Sequence, residues 1–463
     1  MKPLIKPLTL IAMLLILLIP LAMVEGIVQE RSAYRNLAVH NIASSWTGPQ
    51  TIDGPFIIVD YHVKEKHRYM DQHTKKTIEM PKKVKKRALI RPINSLITSN
   101  LDVSFRHRGI YDVPVYTASI KLTGNFDLRQ LDNLLEGESE PIIDRVAVEA
   151  GVSDARGFTG TPKLKWSEDS LRGLPGVTYR KDAQGFHALL DPETIKTRKK
   201  EILFSGEFML RGINEMFVRP AGFDSKIDMQ SNWSHPSFQG EFLPDHRTLD
   251  ETGFQSSWNV SSLASGNSLI PEIVIGNTAF ESINKLRLIG VRLYQPVDIY
   301  TLGDRATKYG VLFILVTFTL FYLIEVMKGE RLHPIQYSLV GMALAIFFLL
   351  LLSLSEHLGF GFSYIVASTA CIGMISLYTR SMMSGKLAIL TAVILSMLYF
   401  TCYIILQLEG YSLLVGSLLL FGLLGSVMYV TRRIDWYKLS RELTDERSKT
   451  KTCTDPDINP ATK

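Results

Sequence analysis

Cysteine is scarce in this chain: there are three in 463 residues, and none falls between Glu25 and Arg305. That long central region therefore has neither a disulfide nor a thiolate metal site, and it must fold on its own apolar core, for which it is long enough. The histidines show no H-E-x-x-H pattern and no paired His and Cys spacing, so no metal and no cofactor are expected. Long internal repeats and low-complexity segments are also missing. Ser282-Ile-Asn-Lys285 has the S-x-x-K spacing of penicillin-binding enzymes, but no K-T-G or S-D-N partner accompanies it, which argues against that chemistry.

What is present is apolar residue, 46% of the chain, with a positive mean hydropathy, more than a soluble protein of this size needs. The first apolar run, Leu8 to Val24, follows Lys2 and Lys6 and is read as an uncleaved anchor rather than a signal peptide. Five later runs follow: Gly310 to Met327, Ser338 to Ser355, Gly361 to Tyr378, Leu387 to Leu406 and Tyr411 to Val430. Six spans place both termini on one side. Lys328 with Arg331, Arg380 with Lys386, and Arg432, Arg433, Lys438 and Arg441 all flank the same side, which the positive-inside rule makes the cytoplasm.

The last four runs contain no Asp, Glu, Lys, Arg or His, whereas an ion-coupled carrier keeps ionisable groups at membrane depth. Glu325, the acid within a run, lies about one turn from its end, where it is expected to reach headgroups. Ser412, Gly416, Gly422 and Gly425 suit close helix packing in a bundle or a homo-oligomer.

The expected architecture is a membrane protein with about six transmembrane helices, one N-terminal and five C-terminal, and a large, mainly antiparallel β domain outside the membrane. The boundaries are 1–24 for the N-terminus and first helix, 25–305 for the β domain, 306–431 for the five-helix bundle and 432–463 for a basic and polar tail. Alternation in Phe56-Ile-Ile-Val-Asp-Tyr-His-Val63, Val113 to Leu122 and Ile202 to Leu210 predicts strands with one face buried. The helix-like stretch Leu128 to Pro141 marks a split into two lobes. The basic segment Lys64 to Arg87 reads as a solvated hairpin, or else as a patch for anionic headgroups or wall polymer. Formal charge of +6 does not single out nucleic acid, because basic residues also gather beside membrane helices.

Two groups in the central region are candidates for binding a ligand or partner. Asp154 and Arg156, in Ser153-Asp-Ala-Arg-Gly157, make either a turn with an ion pair or a polar site. Trp233, His235 and Phe238, in Ser231-Asn-Trp-Ser-His-Pro-Ser-Phe238, offer stacking and hydrogen bonding to a sugar or peptide, unless the two aromatics plug the core. Glu356-His357 reads as a lone pair in the wet interface. A third group, Asp304, Arg305, Lys308 and Tyr309, lies at the join of β domain and bundle and is expected to couple them or to anchor the chain at headgroup level.

Several stretches resemble one family in order along nearly the whole chain: Glu30-Arg-Ser-Ala-Tyr-Arg35, Thr47-Gly-Pro-Gln50, Ser153 to Gly157, Ser231-Asn-Trp with His235 to Phe238, Asp304 to Tyr309, Arg331-Leu-His-Pro334, Leu352 to His357 and Ile434-Asp-Trp-Tyr437. The chain resembles the CreD inner-membrane proteins, also described as cell envelope integrity proteins. The resemblance implies an inner-membrane protein of a stress response, tied to envelope integrity, without an established enzymatic activity. The favoured function is a non-enzymatic protein embedded in the bilayer whose β domain binds a cell-wall component or envelope protein. The alternatives are a membrane enzyme using Asp154, His235 or Glu356 on lipid or wall precursor, and an uncoupled transporter or channel.

Overall fold

The computed structural model describes residues 5–70, 77–136, 138, 141–181, 183–192, 201–276, 280–284, 287–295, 298–328, 332–382, 384–408 and 412–432. Arg331, Lys285, Glu409 and the tail beyond 432 lie outside the described residues. The chain divides into two units, Met1–Tyr34 with Val297–Lys463, and Arg35–Pro296.

The first unit is helical. Leu8–Ser45, Ile299–Val326, Pro334–Leu358, Phe360–Met382 and Gly385–Gln407 are long and apolar enough to cross a membrane, and Leu414–Tyr429 is a shorter apolar helix. Its core is aromatic: Tyr399 lies edge-on to Phe313 at 4.8 Å and to Phe347 at 4.7 Å. The close approach between helices occurs at Gly341, where a Cβ would stand 2.1 Å from Leu17 Cδ1, and at Gly310, where it would stand 2.5 Å from Leu21 Cδ1. Gly416, Gly422 and Gly425, expected to make such contacts, meet no atom of another helix within 4 Å of where a Cβ would be among the described residues. Glu325 also differs from expectation. It is buried and accepts a hydrogen bond from the Tyr337 hydroxyl at 2.9 Å, because a partner on the neighbouring helix satisfies it without headgroups.

The second unit is built on two sheets. A nine-stranded sheet has the order Pro236–Gly240, Ile289–Leu293, Glu215–Arg219, Gln50–Met70, Ile142–Val152, Gln184–Leu190, Leu174–Pro175, with Thr77–Ile90 also on Gln50–Met70 and Glu272–Ile275 on Thr77–Ile90. An eight-stranded sheet has the order His246–Asp250, Gly253–Val260, Asp224–Ser231, Asn94–Arg108, Tyr111–Asp127, Glu201–Ile213, Phe158–Trp166, Asp169–Leu171. Pairing is antiparallel except for Gln50–Asp53 on Met216–Arg219 and Asn94–Leu101 on Asp224–Ser231. The inner faces of both sheets supply one apolar core, with Val59, Val146 and Val148 from one and Ile97, Ile120 and Phe204 from the other. Helix Arg129–Glu136, inside the stretch expected to separate two lobes, follows strand Tyr111–Asp127, and Leu131 enters that shared core.

Two features depart from the expected pattern. The N-terminal helix does not stop with its apolar run but continues to Ser45. Within the second unit, Ile42, with Val39, Ala43 and Trp46 beside it, forms an i, i+3, i+4, i+7 stripe against Val113, Val115 and Ile213. The second departure is that Phe56 to Val59 are all buried, not alternate residues. Phe56 and Ile58 point away from the shared core into a second one made with Tyr179, Ala221, Phe280 and Ile283, so this stretch of the sheet is covered on both faces.

Candidate functional site: an open polar sheet face

Asp154 and Arg156 are joined to each other. Arg156 Nη2 lies 2.6 Å from Asp154 Oδ2, and the Arg156 backbone N–H donates to Oδ1 at 3.1 Å. The second Asp154 oxygen also accepts from the Gly48 N–H at 3.2 Å, while Arg156 Nη1 donates to the Ser44 carbonyl at 2.7 Å, near the end of the long helix. The Arg156 guanidinium, with the N–H groups of Gly48 and Arg156, holds the Asp154 carboxyl well below the usual carboxylate range. An aspartate ionised this firmly and bonded on both oxygens is a poor proton donor or acceptor near neutral pH.

The turn around this pair brings together two segments about a hundred residues apart. Gln50 Nε2 donates to Thr47 Oγ1 at 2.9 Å, to the Asp154 carbonyl at 3.0 Å and to the Arg211 carbonyl at 3.0 Å. Ser153 Oγ donates to the Pro49 carbonyl at 3.0 Å and accepts from the Thr51 N–H at 2.7 Å. Gly157 is required by space, since a Cβ there would stand 2.6 Å from both Arg211 O and Gln50 Nε2. Thr47 to Gln50 and Ser153 to Gly157 thus form one junction that fixes the helix end on the sheets.

Trp233 and Phe238 pack against the shared core. The Trp233 indole N–H donates to the His235 carbonyl at 3.0 Å and the Tyr294 carbonyl at 3.1 Å, and its ring meets Phe105 at 5.8 Å. Phe238 stands edge-on to Phe254 and Trp258. Of this trio His235 is the exposed member. Among the described residues, no hydrogen bond or ring contact joins the Trp233 group to the Asp154 group.

Asp304, Arg305 and Lys308 lie on helix Ile299–Lys308 of the first unit, where Asp304 and Lys308 pair one turn apart at 2.7 Å and Tyr309 closes the helix. Glu356, expected to be a lone group in the wet interface, accepts from the Tyr300 hydroxyl at 3.1 Å and has Arg31 Nε at 3.9 Å. It is engaged because the helix Ile299–Lys308, which was not expected from sequence, carries Tyr300 to it.

Sequence reading missed two arrangements. One is a charge network on the outer face of the nine-stranded sheet. Asp53 is 2% exposed and lies 2.7 Å from Arg219 Nη1 and 3.1 Å from Arg180 Nη1. Glu149, fully buried, accepts from Arg145 Nη2 at 3.0 Å and from the Thr178 N–H at 2.6 Å, and Asp60 receives Arg87 at 2.5 Å. Burial pushes the Asp53 carboxyl up despite the opposing pull of Arg219 and Arg180. These groups border the second apolar core and are spent on each other.

The other is the part of the outer face of the eight-stranded sheet on Asn94–Leu101, Asp224–Ser231 and Gly253–Val260, away from Val113, Val115 and Ile213, which the end of the long helix covers. Ile97, Ile227, Met229 and Trp258 turn inward, so the alternate positions turn out: Asn94, Thr98 and Asn100; Lys226 and Gln230; Gln255 and Asn259. Three adjoining hollows of about 490, 450 and 300 Å³ run along these strands, the last two sharing Gln230, Thr248 and Gln255. Amides and hydroxyls dominate their walls, with Leu96 and Leu203 at one end. Such a surface can form many directional hydrogen bonds, and its charged members are Asp224, Lys226, Asp228, Arg247 and Asp250, with His246 beside them. The signal for it was available: on three neighbouring strands the outward positions are amide or hydroxyl more often than charged.

The family described as CreD, inner membrane protein CreD, matches residues 2–437. The chain belongs to the CreD family. The inner membrane protein CreD of Escherichia coli (strain K12) is 34% identical over 440 residues, 94% of each chain. CreD membership with the apolar helices makes this a multi-pass inner-membrane protein. Among solved structures, a mutant M1 zinc metallopeptidase from Deinococcus radiodurans overlaps 37% of this chain and 38% of its own at 10% identity and a TM-score of 0.19, a likeness from which nothing is taken.

Proposed function

We propose that this member of the CreD family supports envelope integrity under stress without catalysing a reaction, and that its β unit does so by binding an envelope component on the open part of the outer face of the eight-stranded sheet. The carrying observation is the contrast in use of polar groups: Asp154, Arg156 and the Trp233 indole are consumed by internal bonds, whereas Asn100, Gln230 and Gln255 line a continuous hollow surface. A face of amides and hydroxyls suits a hydrogen-bonding polymer such as a glycan strand, or an extended protein segment. In this reading both termini are cytoplasmic and the β unit is periplasmic, as the basic residues Lys328, Arg380, Lys386 and Arg432 beside the apolar helices imply.

Photo-crosslinking in living cells from Gln230 and Gln255 tests the reading. It should capture an envelope polymer or protein, and a deletion strain should become more sensitive to detergents or wall-targeting drugs. A strain with no change under any envelope stress, together with empty crosslinks from that face, would overturn it.

A further inference from the structure

Register gives the open part of the outer face an order that its composition does not show. Gln230 stands opposite Asn100 on one neighbouring strand and opposite Gln255 on the other, and Gln255 stands opposite Thr248. Residues directly opposite each other share a face of a sheet, so these four exposed side chains form one row across four strands. At the ordinary spacing of paired strands the row is roughly 14 Å long. Three of its members are amides, each carrying a donor and an acceptor in one plane, and the fourth is a hydroxyl. All four line the hollow of about 300 Å³, and among the described residues none of them spends its side chain on a hydrogen bond within the protein.

The carboxylates nearby are, by contrast, spent. Asp224 accepts from the Ser262 N–H at 3.1 Å, Asp228 has Lys226 Nζ at 3.6 Å, and Asp250 accepts from the N–H groups of Thr252 at 2.8 Å and Gly253 at 3.0 Å. With Lys226 and Arg247 set against these three aspartates, the hollows are close to neutral. Nothing in that balance attracts an anionic polymer. A protein segment is also poorly matched. Asn94–Arg108, Asp224–Ser231 and Gly253–Val260 have strand neighbours on both sides, so their backbones are closed to strand addition. Phe254 and Met229, which border the hollows, are buried in the shared core and offer no anchor of the kind that centres a protein interface.

A neutral ligand rich in hydroxyls fits, because a planar amide can give a hydrogen bond to one hydroxyl and take one from the next. The face also has an apolar end. Four residues along the strand from Asn100, roughly 13 Å away, Leu96 lines the hollow of about 490 Å³ together with Leu203. The two leucines are 38% and 54% exposed beside amides and hydroxyls, a setting for a methyl group carried on an amide. We propose that this face binds a neutral glycan bearing N-acetyl groups, with its hydroxyls on the row at Gln230 and Gln255 and an acetyl methyl against Leu96 and Leu203. The inference rests on the function proposed above and narrows the envelope component to a sugar polymer.

The test titrates the full-length protein in nanodiscs with a soluble oligomer of N-acetylglucosamine, with a glucose oligomer of equal length and with polygalacturonate. The acetylated oligomer should bind more tightly than the glucose oligomer by about fourfold or more, the effect of burying one further methyl group, and polygalacturonate should not bind. Gln230→Ala and Gln255→Ala should each weaken the acetylated oligomer by about two- to tenfold while unfolding like wild type. Leu96→Ser with Leu203→Ser should abolish the preference for the acetylated oligomer and leave the glucose oligomer unaffected. Absence of binding by both neutral oligomers, unchanged affinity in the two alanine variants, or a preference for polygalacturonate overturns the proposal. Crosslinks from Gln230 and Gln255 that capture protein alone overturn the glycan assignment and leave the envelope-binding reading standing. Empty crosslinks together with an unaltered stress response bring down both.

Discussion

The two sheets of the β unit treat their outer faces in opposite ways. On the nine-stranded sheet, Tyr179, Phe280 and Ile283 cover Phe56 and Ile58, and Asp53, Asp60 and Glu149 are paired with arginines around that cover. On the eight-stranded sheet the helix end covers Val113, Val115 and Ile213, while the outer positions of Asn94–Leu101, Asp224–Ser231 and Gly253–Val260 carry mostly amides and hydroxyls and remain open. A face buried twice is committed to stability, because each polar group on it must find a protein partner or bear a desolvation cost. A face left in water incurs no such cost and is free to exchange water for a ligand.

Asp53→Ala should break the covered face most severely. It leaves Arg180 and Arg219 without the carboxylate between them, and denaturant unfolding of the purified protein should show a loss of about 3–5 kcal/mol. Phe280→Ala, which opens the second core, should cost about 3–4 kcal/mol in the same measurement. The junction at the helix end should respond less: Asp154→Asn, which removes charge-assisted bonds to Arg156 and Gly48, is expected to cost about 1.5–3 kcal/mol at neutral pH. This loss has a defined pH dependence. The folded-state pKa of Asp154 is lowered, so its contribution is complete above the unfolded value of about 3.9 and disappears as pH falls through the folded value, where wild type and Asp154→Asn should converge. Asp53 has the opposite sign, because burial raises its pKa and ionising it works against the fold as pH rises through the folded value. The smallest effect on stability belongs to the open face: Gln255→Ala or Asn100→Ala should stay within about 0.5 kcal/mol of wild type while reducing crosslinking to the bound component. A large loss of stability in these two would erase the distinction between the faces.

Much of this was legible in the chain. The apolar runs mark helices because span length is set by bilayer thickness, a property of consecutive residues. Alternation marks the strands for a comparable reason, and Trp233 and Phe238 could be weighed as core plugs from their setting in an otherwise polar loop. The extension of the first helix to Ser45 was present as a spacing, Val39, Ile42, Ala43 and Trp46, but its short apolar stripe is convincing only with Val113, Val115 and Ile213 opposite it. The basic segment was visible as composition. Which of its residues share a face follows from register, which sets Lys64 opposite Lys83 and Glu65 opposite Lys82.

The sequence by itself determined where lipid is met and which stretches are strands, since both rest on patterns within one window of the chain. Only the tertiary structure decided that Gln50 joins Asp154 and Arg211, that Glu356 receives Tyr300, and that Phe56 and Ile58 on one outer face are covered while Asn100, Gln230 and Gln255 on the other are open. Those outcomes depend on residues distant in sequence becoming neighbours, and the cost of burying a charge or an amide is fixed by the neighbour it finds, not by its own identity.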